Sequence, residues 1–170
     1  MKIYLKLFLI LIFIFIKQSE SIAEQKITYL NLEKILNDSI SGKKIIKNLE
    51  ELKNINANSF KKISEEIRNK EENILKQKNI LSKEEFEKKI INLRQEVDQF
   101  NKERNKTIKE YEITKKNELD NFLKIITPFI EKYIAENSVG LVLNQKNIFI
   151  ADKKYDITEK IIAIVDENLK

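Results

Sequence analysis

From Leu49 onward the apolar residues recur at intervals of three and four, the spacing that gathers them on one face of an α-helix. Leu49, Leu52, Phe60, Ile63, Ile67, Ile74 and Leu81 form a first stripe, with one register slip near Asn56 to Ser59. Lys70 and Gln77 occupy stripe positions where an apolar residue is expected. A second stripe opens at Phe86, Ile90, Leu93, Val97 and Phe100, thins at Arg104 and Thr107, and resumes at Tyr111, Leu119, Phe122 and Ile126. Between them, Ser82 and Glu85 have the spacing of a capping box, in which each partner satisfies a free N–H at a helix start. The pattern predicts a helix out, a turn at Asn79 to Ser82, and a helix back, with Leu75 near Phe86 and Leu49 near Phe122. Each stripe is one seam wide, as in a two-stranded coiled coil. Its polar interruptions predict loose packing.

The punctuation of the chain supports this reading. No glycine or proline stands between Gly42 and Pro128, a run of 85 residues. As one helix it would span about 130 Å at about 1.5 Å per residue; a hairpin projecting from a small body is the economical alternative. Thr127-Pro128 then predicts a kink, or a fresh helix start with Thr127 as cap, because proline forfeits a helical hydrogen bond.

The two ends read differently. Lys26 to Leu32 is rich in β-branched, aromatic and aliphatic residues and predicts a strand, followed by a short helix over Glu33 to Asn37. Val139 to Leu143 and Asn147 to Ala151 are two further apolar runs, joined by Asn144-Gln145-Lys146 as a hairpin. Thr158 is the expected cap of a last helix that turns Ile161, Ile162, Val165 and Leu169 inward. The fold class is therefore α+β: a small body of three strands and short helices, with a long antiparallel helical hairpin inserted as an arm. Three strands make a marginal core, and two of them are apolar on both faces. Oligomerisation through the body is the expected remedy, with Ile27, Tyr29, Leu30, Leu141, Val142, Leu143, Ile148 and Ile150 as the shared core.

The N-terminus predicts export. Lys2 and Lys6 precede the ten apolar residues Leu7 to Ile16, and Ser21-Ile22-Ala23 offers small residues for cleavage between Ala23 and Glu24. This is the layout of a secretory signal peptide, too short to cross a bilayer as a helix, and there is no cysteine to acylate. The expected divisions are a leader at 1–23, a body from 24–42 and 126–170, and an arm at 43–125.

Charge separates the same parts. Lys43 to Lys124 holds 21 basic and 16 acidic residues, whereas the flanks from Glu24 hold 8 and 10. Solvated helix faces explain the density but not the asymmetry. Lys70, Lys76, Lys78, Lys83, Lys88 and Lys89 gather at the arm tip, a candidate contact for client or anionic lipid through long-range attraction. Without the leader the net charge falls from +5 to +3, which argues against a nucleic-acid partner.

Catalysis finds little material. There is no histidine or cysteine, which removes the common triads, thiol nucleophiles and zinc sites. Two glycines cannot build a phosphate-cradling loop. Paired carboxylates such as Glu65-Glu66 and Glu84-Glu85 lie on charged helix faces. An enzyme is not expected, nor a cofactor.

At both ends the residues resemble the Skp/OmpH-type periplasmic chaperones. Lys26-Ile27-Thr28-Tyr29-Leu30-Asn31-Leu32-Glu33-Lys34-Ile35-Leu36-Asn37-Asp38-Ser39, with Gly42-Lys43-Lys44 beyond it, is similar to their opening. Gly140-Leu141-Val142-Leu143, Ile150-Ala151-Asp152 and Tyr155-Asp156-Ile157-Thr158-Glu159-Lys160-Ile161 are similar to their end. Asn31 stands where an acidic residue is common, and Ile40 where proline is frequent. The resemblance implies a homotrimer whose strands pool into a small β-barrel, with the arms around a cavity. It implies an ATP-independent holdase for unfolded outer-membrane proteins in the periplasm; the basic arms add anionic lipid or lipopolysaccharide as a further candidate ligand. The competing expectation is an exported coiled-coil spacer or adaptor of the envelope.

Overall fold

The structure, a computed structural model, describes residues 26–169. The leader and the Ala23–Glu24 cleavage site lie outside the described residues. In chain order the elements are β1 (Lys26–Leu30), α1 (Leu32–Asp38), α2 (Ile40–Lys76), α3 (Lys83–Glu136), β2 (Val139–Asn144), two 3-10 turns (Gln145–Asn147 and Lys153–Tyr155) and α4 (Thr158–Asn168). Helices α2 and α3 form the hairpin, at about 55 Å and 80 Å for 37 and 54 residues. Among the described residues no helix is long and apolar enough to cross a membrane.

The body is assembled from both ends of the chain. Leu30, Ile35, Phe122, Ile126, Ile157, Ile161, Ile162 and Val165 form its buried core. β1 and β2 pair in parallel, Ile27 opposite Leu141 and Tyr29 opposite Leu143. Parallel pairing needs a long crossover, and here the entire arm supplies it.

The sheet has two strands, not three. After β2 the chain does not double back at Asn144-Gln145-Lys146. The Asn144 side chain instead accepts from the Lys146 N–H, and the Ile148 N–H donates to the Gln145 carbonyl, closing a 3-10 turn. The chain then crosses to the far edge of β1, where Tyr29 bridges Asp156 and its carbonyl accepts from the Ile157 N–H at 2.9 Å. Ile148 to Ile150 is left beside no strand, so it cannot form one.

β1 also ends early. Asn31 leaves the strand and caps α1, accepting from the Lys34 N–H. Nor does α3 restart at proline: it runs through Pro128. The Thr127 hydroxyl donates back to the Leu123 carbonyl at 2.7 Å rather than capping a new helix. Finally, α4 has Ile157 at its cap position with no side-chain bond. Thr158 works one residue later as a link: its hydroxyl accepts from the Asn31 N–H, while its own N–H and hydroxyl donate to Asp156.

Ser39 makes the corner between α1 and α2. Its extended ψ of 151° ends one helix, and its buried hydroxyl caps the next by accepting from the Gly42 N–H. The corner brings α2 so close to α1 that a Cβ on Gly42 would sit 2.0 Å from the Leu36 carbonyl oxygen. Backbone cannot retreat as a side chain can. In an ordinary helix Gly→Ala stabilises by about 1 kcal/mol. Here Gly42→Ala is expected to destabilise by about 3 kcal/mol, the upper end for overpacking. Urea unfolding midpoints check the sign, and an unchanged or raised midpoint refutes the close approach.

Candidate binding surfaces

Two surfaces stand out, one on the body and one along the arm. The sheet has two unlike faces because side chains alternate along a strand. Thr28 and Leu30, with Val142, turn toward the helices; Thr28 and Leu30 are buried there, and Val142 packs against the core. Ile27, Tyr29, Leu141 and Leu143 share the opposite face. Ile27 is 55 % exposed, Leu141 48 % and Leu143 38 %. Beyond them Phe149 is fully exposed and Ile150 84 % exposed.

A cleft of ≈ 840 Å³ on this face is lined by Ile27, Tyr29, Leu143, Ile148, Ile150 and Tyr155, among others. The eight residues predicted as an oligomer core thus divide. Leu30 and Val142 serve the chain's own core, and the other six lie on the outward apolar face or in its cleft. Tyr29 is covered, and burial, reinforced by Asp156 and Asp152, raises the pKa of its hydroxyl. It stays neutral and can remain against apolar neighbours.

The arm has no buried interior. Between Leu49 and Phe122 not one residue is buried, because a seam between two helices leaves each side chain open on both flanks. Phe60 meets Phe100 edge to face, with centroids 6.3 Å apart. The two polar residues that interrupt the first stripe are paired across the hairpin. Lys70 donates to Glu96 at 2.6 Å, and Gln77 accepts from Lys89 at 2.7 Å. Ile74 lines the space between the helices with Leu93, whereas Leu75, expected near Phe86, is 55 % exposed.

The arm-tip lysines therefore also divide. Lys70 and Lys89 are engaged across the seam. Lys76, Lys78, Lys83 and Lys88 are exposed and form no ion pair among the described residues. The turn between α2 and α3 presents Ile80, 82 % exposed, in the midst of these lysines. Its position one residue before the end of the first stripe was the only signal for it in the sequence. Among the described residues no cluster of acidic side chains could hold a metal.

Residues 26–165 match the family described as "Outer membrane protein (OmpH-like)". A Skp-like protein of Chlamydia pneumoniae is 25 % identical over 163 residues, covering 93 % of this chain and 94 % of that protein. A crystal structure described as "OmpH-like", from Caulobacter crescentus CB15, has the same fold. Its TM-score is 0.79 at 16 % identity, over 87 % of this chain and 88 % of that one.

The capping box at the tip is complete: Ser82 accepts from the Glu85 N–H, and Glu85 accepts from the Ser82 N–H and hydroxyl. These bonds favour the carboxylate and hold Glu85 below its ordinary pKa of 4.5. A lowered folded-state pKa means that the box stabilises the tip fully above the ordinary value. That contribution is lost as pH falls through the lowered one. A carbon-detected NMR titration is expected to find Glu85 below its ordinary value, and Ser82→Ala, which removes the hydroxyl donor, to raise it. Coincident titrations in both proteins refute the assignment.

Proposed function

The chain belongs to the OmpH-like family, and from that premise we propose that it is an ATP-independent periplasmic holdase for unfolded outer-membrane proteins. One observation carries the reading: an arm of two long helices whose apolar seam has no buried residue between Leu49 and Phe122. Such a seam offers many weak contacts in place of one tight site, as a varied client requires. An unfolded barrel precursor presents unpaired strand edges and alternating apolar faces, which aggregate unless covered.

The outward face of the body supports assembly. Ile27, Leu141, Leu143 and Ile150 are too apolar to stay in water, and a shared barrel in a homotrimer would cover them. A leader at 1–23, removed after Ala23, would bring the chain to the periplasm. The exposed tip lysines would attract acidic client segments, anionic lipid or lipopolysaccharide.

Purified mature protein is expected to suppress aggregation of several unrelated unfolded outer-membrane proteins on dilution from urea. Binding of one defined envelope partner in fixed stoichiometry, without such suppression, would establish the spacer reading instead. Sedimentation is expected to show a trimer. Leu143→Lys should dissociate it, since a charge buried without a partner costs several kcal/mol. A folded monomer at micromolar concentration in the unsubstituted protein refutes the shared core.

The tip is tested separately. Replacing Lys83 and Lys88 with Glu is expected to slow client capture at low salt and to leave assembly intact. The difference should shrink as screening shortens below about 8 Å. Equal capture rates at low salt would assign these lysines to solubility alone.

A further inference from the structure

One flank of the arm is chemically unlike the rest. Two hollows between α2 and α3, of ≈ 250 and ≈ 590 Å³, share Lys70, Asn92 and Glu96 in their walls, so they form one groove. It reaches from Ile63 to Gln77 along α2, about 21 Å at about 1.5 Å per residue. That is room for about six residues of extended chain at about 3.3 Å each. The floor is apolar and half-open: Ile67, Ile74, Leu93 and Phe100. The walls carry the carboxamides of Asn73, Asn92, Gln95 and Gln99, which hydrogen-bond to no other described residue. Gln77 adds a fifth, tied to Lys89.

The described residues contain four glutamines, Gln77, Gln95, Gln99 and Gln145, and three of them line the groove. Charges in the walls are nearly balanced, and the central pair, Lys70 and Glu96, neutralises itself. Glu66, Lys89 and Glu103 stand in the walls as well, and with Lys70 and Glu96 they leave a net charge of only −1, so the groove favours an uncharged, strongly hydrogen-bonding ligand over a strongly charged one. A carboxamide offers the same donor and acceptor as a peptide group.

We propose that this groove binds the backbone of an extended polypeptide segment. The carboxamides pair with peptide N–H and C=O groups, while alternate apolar side chains rest on the floor. The inference builds on the holdase reading and names where and by what chemistry a client is held. Recognition through the backbone needs no particular sequence, and it covers the groups through which unfolded strands would pair with one another.

The variant Asn92→Ala/Gln95→Ala/Gln99→Ala changes exposed helical positions to the best helix former, so folding, checked by circular dichroism, is preserved. The probe is a short uncharged peptide of alternating valine and threonine, with a second version N-methylated at every other residue. The full-length mature protein is expected to bind the plain peptide about tenfold more tightly than the methylated one, as loss of a few net hydrogen bonds predicts. The triple variant should bind both alike and weakly. A photo-crosslinker at Gln95 should label an unfolded outer-membrane protein, and one at Arg94, off the groove, should not. Unchanged peptide affinity in the triple variant, or equal labelling from both positions, overturns the groove. If that happens while the unsubstituted protein still suppresses aggregation, the holdase reading stands. If it suppresses none, both fall.

Discussion

Everything in this molecule depends on a closure made far from most of its residues. The arm buries nothing between Leu49 and Phe122, and a helix pair without an interior gains little from burial. Stability must come from the body, where β1 and β2 meet across more than a hundred intervening residues. Loop-closure entropy grows only slowly with length, so so long a crossover is tolerable once the ends lock. The lock is Ile35, Ile126, Ile161 and Val165, all buried, aided by the Asn31–Thr158–Asp156 hydrogen bonds.

Freed from holding the fold together, the arm is shaped by two other demands. It must keep its register, and it must stay open. Apolar contact alone fixes register poorly in a thin seam. The Lys70–Glu96 and Gln77–Lys89 pairs set it with directional bonds whose energetic worth is small. Phe60 against Phe100 is the main aromatic contact across the seam. Openness follows from the same economy, since no third layer covers the flanks.

How much of this was legible in the residues divides along physical lines. The helices, the turn and the Ser82–Glu85 box depend on neighbours in sequence, and patterning over 85 residues without glycine or proline is hard to read otherwise. Lys70 and Gln77 looked like defects because their partners, Glu96 and Lys89, lie on the other helix beside its stripe rather than in it. Ile148 to Ile150 has the composition of a strand, but a strand exists only beside an edge, and the edge of β1 is taken by Asp156. The local rule for Pro128 predicts a kink or a restart, whereas Ile126 and Phe122, buried on its own helix, hold that helix in the core on the side of the arm. The apolar outer face was visible as excess hydrophobicity. Which residues face inward, Leu30 and Val142, required the register of the pairing.

The two helices of the arm are attached to the body in different ways. α3 passes from Lys83 at the tip to Glu136 beyond the core without a break, whereas α2 reaches α1 through the single extended residue Ser39. Mechanically the first is a strut and the second a tie pinned at a corner. A sideways load on the tip is carried down α3 as a bending moment and is felt at Phe122 and Ile126. α2 can accommodate it only by sliding along its partner, against Lys70–Glu96 and Gln77–Lys89. The two attachments are therefore unequal: displacement of the tip is transmitted to the body through α3, while α2 follows it through the seam and the corner at Ser39.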